Sequence, residues 1–184
     1  PFVDEEDNEF WKRIVWGITS YFDAIQVPNA SERATFTINE LNNAIAALQT
    51  RAALSLKNLA FCNHIDGYGT YVPFPLEKRY SHGDVVLLYV EVENFASEMA
   101  DNGQYETKLA STIEVYTAGG TLVDRLVFPK PSVDLCRNRR RDYFHSYKYT
   151  LPKNMGPGGH VLKLIVEDVA TGRVAEATKQ FTVE

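Results

Sequence analysis

Four arginines, Arg137, Arg139, Arg140 and Arg141, fill four of five consecutive positions within DLCRNRRRDYFHSYKYTLP, residues 134–152. Guanidinium groups at this density suit a phosphate, a sulfate or an acidic surface, each held by paired N–H donors. They equally suit a structural role, clamping loop carbonyls and carboxylates where a core runs out. The residues that follow favour the clamp. Tyr143, Tyr147, Tyr149 and Leu151 share one face of an alternating run, with His145 among them. That face, extended backward, reaches Arg141 and Arg139. The clamp reading has Arg139 and Arg141 holding the 63–72 loop, with Asp66 as one acceptor. Arg137 and Arg140 then remain exposed. With Tyr68 and Tyr71 of a tyrosine-rich loop they form the alternative set, a site for an anionic or glycan ligand.

A second group is CNHID, where Cys62, His64 and Asp66 alternate as a nucleophile, a base and an orienting acid would. Strand geometry opposes the relay, because side chains two apart leave backbone positions separated by about 6.5 Å, whereas a nucleophile and its base need about 3 Å. The ligand spacing of zinc sites is also missing when Cys136 or His145 is added. The chain has two cysteines. Cys62 and Cys136 can form one disulfide or remain buried thiols. GYGTY, residues 67–71, has glycines but neither the lysine nor the helix of a phosphate loop, and reads as a turn. The sequon NAS at Asn29 has a competing explanation as a helix cap. The expectation from these readings is a chain with no metal, no cofactor and no catalytic activity.

The elements that must position these residues fall into two regions. Phe10, Ile14, Ile18, Phe22 and Ile25 recur at helical spacing, and so do Ile38, Leu41, Ile45, Leu48 and Ala52. QVPNAS separates the two stripes, so the spacing predicts an antiparallel helical hairpin over residues 1–55 with the stripes facing each other. Trp16 points away from its stripe, among Lys12, Thr19 and Asp23, at about 100° per residue. A tryptophan on a polar face marks a contact with something else. The candidates are an upstream segment of the same protein, another protein, or a second copy in a homodimer.

From residue 56 the period becomes two. About seven strands are expected, near 56–62, 84–93, 104–117, 121–128, 142–151, 159–168 and 173–183, with turns at SHGD, ADNG, AGG, NMGPGG and ATG. Strands joined by hairpins without intervening helices predict an antiparallel β-sandwich, giving an α+β chain overall. The segment GPGGHVLKLIVEDVATGRVAEATKQFTV resembles the closing hairpin of bacterial immunoglobulin-like modules, although His160 stands where an aromatic residue is usual. LKNLAFC, YVEVENF and CRNRRRDYF are similar to segments of an uncharacterised bacterial family carrying such a module. The resemblance spans about residues 56–184. It implies an immunoglobulin-like sandwich and supplies no activity.

The 184 residues carry a net charge of -5, which argues against binding nucleic acid. No apolar run reaches the length of a membrane span. The start at Pro1 suggests a processed or shortened product. The reading that results is a non-catalytic interaction or accessory module of a larger bacterial protein, at the cell envelope or outside the cell.

Overall fold

The computed structural model describes residues 5–184 and, for side chains, residues 8–184. The chain divides into two compact units, with the boundary after Ala52. The first holds two helices and the second two β-sheets, an α+β composition.

Helices α1 (Glu5–Phe22) and α2 (Ala30–Gln49) form an antiparallel hairpin. Asp23 turns the chain after α1, its carboxylate accepting from the amides of Ile25 and Gln26. Asn29 caps α2 by accepting from Ser31 N at 2.9 Å. Thr37 and Glu40, which have the spacing of a helix-capping box, therefore lie inside α2 and act between the helices. Thr37 Oγ1 donates to Gly17 O at 3.0 Å, and Arg13 pairs with Glu40 at 3.2 Å. Gly17 marks the closest approach: a Cβ there would stand 3.2 Å from Glu40 Cβ.

This overturns the expected packing of the stripes. The helices meet through Gly17, Thr37, Glu40 and Ala44, while Ile18, Phe22, Ile38, Leu41, Ile45 and Leu48 are exposed. The physical reason is the glycine. It allows a close approach that hydrogen bonds and one ion pair then fix, leaving the bulkier apolar residues outside the seam.

The second unit has eleven strands rather than seven. They are β1 (Ser55–Gly67), β2 (Thr70–Pro73), β3 (Arg79–Tyr80), β4 (Val85–Glu93), β5 (Glu98–Met99), β6 (Tyr105–Thr117), β7 (Leu122–Val127), β8 (Ser132–Cys136), β9 (Phe144–Thr150), β10 (Gly158–Asp168) and β11 (Arg173–Val183). The seven expected strands correspond to β1, β4, β6, β7, β9, β10 and β11. The additional strands have two to five residues, too few to show a period of two.

One sheet runs β2-β1-β4-β9 and the other β3-β11-β10-β6-β5, with β7 and β8 both paired to β6. All pairings are antiparallel except β3 with β11. The sheets share one core, in which Val86, Leu88, Val90 and Val92 of β4 pack with Leu109, Ile113, Val115, Leu162, Leu164 and Val166. Alternation along β10 and β9 places their apolar residues inward and their polar residues outward.

Strand β4 is buried on both faces. On its outer side Tyr89 forms a small cluster with Ala60 and Cys62, flanked by Tyr71 and Phe144. Extending the β1–β4 register, in which Cys62 faces Leu87, would carry residue 69 past the start of β4. Instead, register shifts after Cys62 and after Ile65 curl the β1–β2 hairpin back over the sheet, and Gly69 N donates to Tyr89 OH at 2.7 Å. At the other end of the sandwich the fully buried carboxylate of Asp168 accepts from Ala96 N at 2.7 Å and from Arg173 at 2.9 Å, tying two loops together.

Candidate functional site

The arginine run follows β8 and lies outside the core. All four arginines are exposed. Arg140 makes a bidentate pair with Asp134, its Nε donating at 2.8 Å and Nη2 at 3.1 Å. Arg139 lies over the Tyr105 ring at 5.3 Å. Asp66 is taken by His64 at 2.7 Å. The clamp on the 63–72 loop is therefore not formed. What holds that loop is the stacking of Tyr71 on Tyr89, with ring centroids 4.0 Å apart, together with the Gly69–Tyr89 hydrogen bond. The strand face carrying Tyr143, His145, Tyr147 and Tyr149 is buried as expected, but the chain leaves the strand before it reaches the arginines, so they do not share that face.

Among the described residues, no hydrogen bond, ion pair or ring contact joins Arg137 or Arg140 to Tyr68 or Tyr71. Tyr71 is committed to the stack, and Tyr80 is buried in the core. Lys78 sits over the rings of Phe74 and Tyr80 at 5.7 and 5.4 Å. The tyrosine-rich loop is thus mainly anchoring, and Tyr68 remains exposed.

Cys62 and Cys136 are both free. They occupy different sheets: Cys62 lies in the outer cluster beside Tyr89, and Cys136 in β8 is paired with Tyr105. Cys62 thus sits on the outer side of its sheet, apart from the core the two sheets share, and the possible disulfide is absent. Cys62 Sγ is 3.7 Å from Ala60 O, and burial pushes its thiol pKa up, the wrong direction for a nucleophile. His64 and Asp66 are exposed while Cys62 is buried, so the three side chains do not converge. Among the described residues, no three His, Cys, Asp or Glu side chains group as metal ligands do, and no helix is long and apolar enough to cross a membrane.

Two other features stand out. The first is the helical hairpin. In an antiparallel pair, equal rotations away from the seam bring residues of both helices to the same side. Trp11, Val15, Ile18 and Phe22 of α1 therefore share one side with Ile38, Leu41, Ile45 and Leu48 of α2. Phe22 is 77% exposed, Ile38 58% and Ile45 56%. No charged residue lies in either stripe. The opposite side carries Trp16, which is 62% exposed, as its helical angle implies. It shares a groove of about 480 Å³ with Thr19, Asp23, Arg33 and Phe36.

The second lies inside the sandwich. Ser111 Oγ is 2.8 Å from Tyr147 OH, which is 2.8 Å from His145 Nδ1. His145 Nε2 is 3.2 Å from Tyr143 OH. Burial lowers the His145 pKa to about 4. The chain of polar groups borders a cleft of about 370 Å³. The sequence reading placed His145 on the inward face but did not connect it to Ser111. Ser111 arrives from β6, and Ser132 of β8 joins the lining of the same cleft.

No family model matches the chain, and no curated protein matches it. Among solved structures, the chain is similar to the Pseudomonas fluorescens alkylpurine DNA glycosylase AlkC bound to DNA containing an abasic site analog. The identity is 12%, the match covers 97% of this chain and 45% of that one, and the TM-score is 0.41. The chain thus spans less than half the length of the glycosylase. The C-terminal domain of Wzt matches at 12% identity over 61% of this chain and 66% of that one, with a TM-score of 0.39. An immunoglobulin-like protein from Pseudomonas aeruginosa matches at 15% identity over 72% and 98%, with a TM-score of 0.34. At these TM-scores none of the three likenesses carries an argument about function.

Proposed function

We propose that this chain is a non-catalytic protein-interaction module of a larger bacterial protein. In this reading the helical hairpin is the interacting element and the sandwich, of the immunoglobulin-like type its sequence resembles, is the folded body. The observation that carries the reading is the uncharged apolar side of the hairpin. Its own seam buries Gly17, Glu40 and Ala44 but leaves Phe22, Ile38 and Ile45 in water. A helix pair that cannot bury its apolar face alone acquires stability by stacking on another helical layer.

The occupant we assign is a second helical hairpin, and for the isolated chain that is a second copy. The eighteen residues of α1 extend about 27 Å, and two helices side by side are about 20 Å wide. The face then measures roughly 540 Å² per copy and roughly 1,100 Å² for the pair, near the lower end of specific interfaces. Stripes without charges impose no electrostatic bar to self-pairing across a two-fold axis, which yields a four-helix bundle. Light scattering during size exclusion, at about 100 μM chain, tests this, since an interface of that area supports micromolar association. The parent is expected as a dimer and Phe22→Glu as a monomer with unchanged sandwich spectra. A monomeric parent would sink the self-pairing.

A further inference from the structure

The segment FPKPS, residues 128–132, interrupts what would otherwise be one long edge strand beside β6. Strand β7 pairs with residues 112–116 and β8 with residues 105–109. Pro129 and Pro131 fall between them, and a proline has no N–H to offer the ladder. Phe128 N still donates to Ser111 O at 3.1 Å, but the pairing lapses beyond it. The gap opens a window onto the sandwich interior, opposite the edge strand β9. The cleft of about 370 Å³ lies there, within the size range of small-molecule pockets.

Its lining has a surplus of hydrogen-bond donors. Tyr143, neutral His145, Tyr147 and Ser111 form one chain of four groups, each contributing one mobile proton, and Ser132 adds a further hydroxyl to the lining. Three links consume three protons, and the fourth is left on Ser111, Tyr147 or Tyr143, all of which line the cleft. Ser111 is buried whereas Ser132 is exposed. Lys130 adds an ammonium group to the same lining, and among the described residues no carboxylate pairs with it or lines the cleft. Leu109 and Phe128 supply apolar walls. We propose that this cleft binds a small carboxylate with a short apolar or aromatic tail. The carboxylate accepts from Lys130 and from the free hydroxyl of the serine–tyrosine–histidine chain, and the tail lies against Leu109 and Phe128.

The test uses the whole chain at neutral pH, with benzoate as the probe and benzyl alcohol as its uncharged counterpart. NMR follows the His145 ring and the Leu109 methyl groups. Benzoate is expected to shift both saturably. Benzyl alcohol and the Lys130→Gln variant with benzoate should each bind about ten-fold more weakly, as loss of a charged hydrogen bond implies. Lys130 is exposed, so its replacement leaves the fold intact, and benzyl alcohol should bind parent and variant alike. The proposal is overturned by the absence of saturable shifts up to about 10 mM benzoate. Equal affinity for the two probes, or benzoate affinity indifferent to Lys130→Gln, overturns it equally.

Discussion

Acid should weaken the sandwich through His145 at a pH well above that of carboxylate protonation. In the folded chain burial holds this imidazole at about 4, against an ordinary value of 6.5. The unfolded chain therefore binds the proton first. The contribution of neutral His145 is complete above pH 6.5, is lost as pH falls from 6.5 toward 4, and is level below that. A displacement of about 2.5 units corresponds to about 3 kcal/mol in full, and about 2 kcal/mol of it falls between pH 7 and pH 5. The assay is urea unfolding at a series of pH values, comparing the parent with His145→Gln. Near-ultraviolet circular dichroism reports on the sandwich, because nine of the ten tyrosines lie there, while both tryptophans lie in α1. The variant's stability should fall about 2 kcal/mol less than the parent's over that interval, whatever its stability at pH 7. Parallel curves for the two proteins, or an NMR midpoint for His145 between 6 and 7, would refute the claim that burial keeps it neutral.

Three further predictions address the packing. Gly17→Leu must push α2 away at Glu40 Cβ and Thr37 O, and should destabilise the hairpin by about 1–3 kcal/mol, read from the tryptophan fluorescence transition. Asp168→Ala leaves Ala96 N without its acceptor and removes a buried charge that faces Arg173; a loss of about 3 kcal/mol in the sandwich transition is expected. Arg139→Ala, Arg140→Ala and Arg141→Ala should each change stability by less than about 1 kcal/mol, since all three side chains are exposed.

The hairpin and the seven longer strands were legible because their apolar residues repeat over enough positions to set a period. Sequence reasoning about the hairpin failed at its seam. Apolar stripes normally mark the contact, but Gly17 permits a close approach to Thr37 and Glu40, and most of both stripes, from Ile18 to Ile25 and from Ile38 to Leu48, is left outside. The short strands were hidden by length, and β8 also by the two prolines before it. Arg139 and Arg141 were misplaced by carrying strand alternation through Asp142, where the chain has already left the sheet. The polar chain around His145 joins residues 36 apart along the sequence, from Ser111 to Tyr147, which meet only because β6 and β9 belong to the two sheets that share the core. The proline pair in FPKPS was the available signal for that opening.

Amide hydrogen exchange, measured as a function of chain concentration, tests the interaction-module reading most directly. Residues of α1 and α2 should exchange more slowly as the concentration rises from about 1 μM to about 300 μM, because pairing of the apolar faces stabilises the hairpin by mass action. Residues of β4, β6 and β10 should be unaffected, and Ile45→Glu should abolish the concentration dependence in the helices. Equal protection of α1 and α2 at both concentrations would contradict the account, because it would mean that the hairpin is as stable with its apolar side in water as it is with a partner.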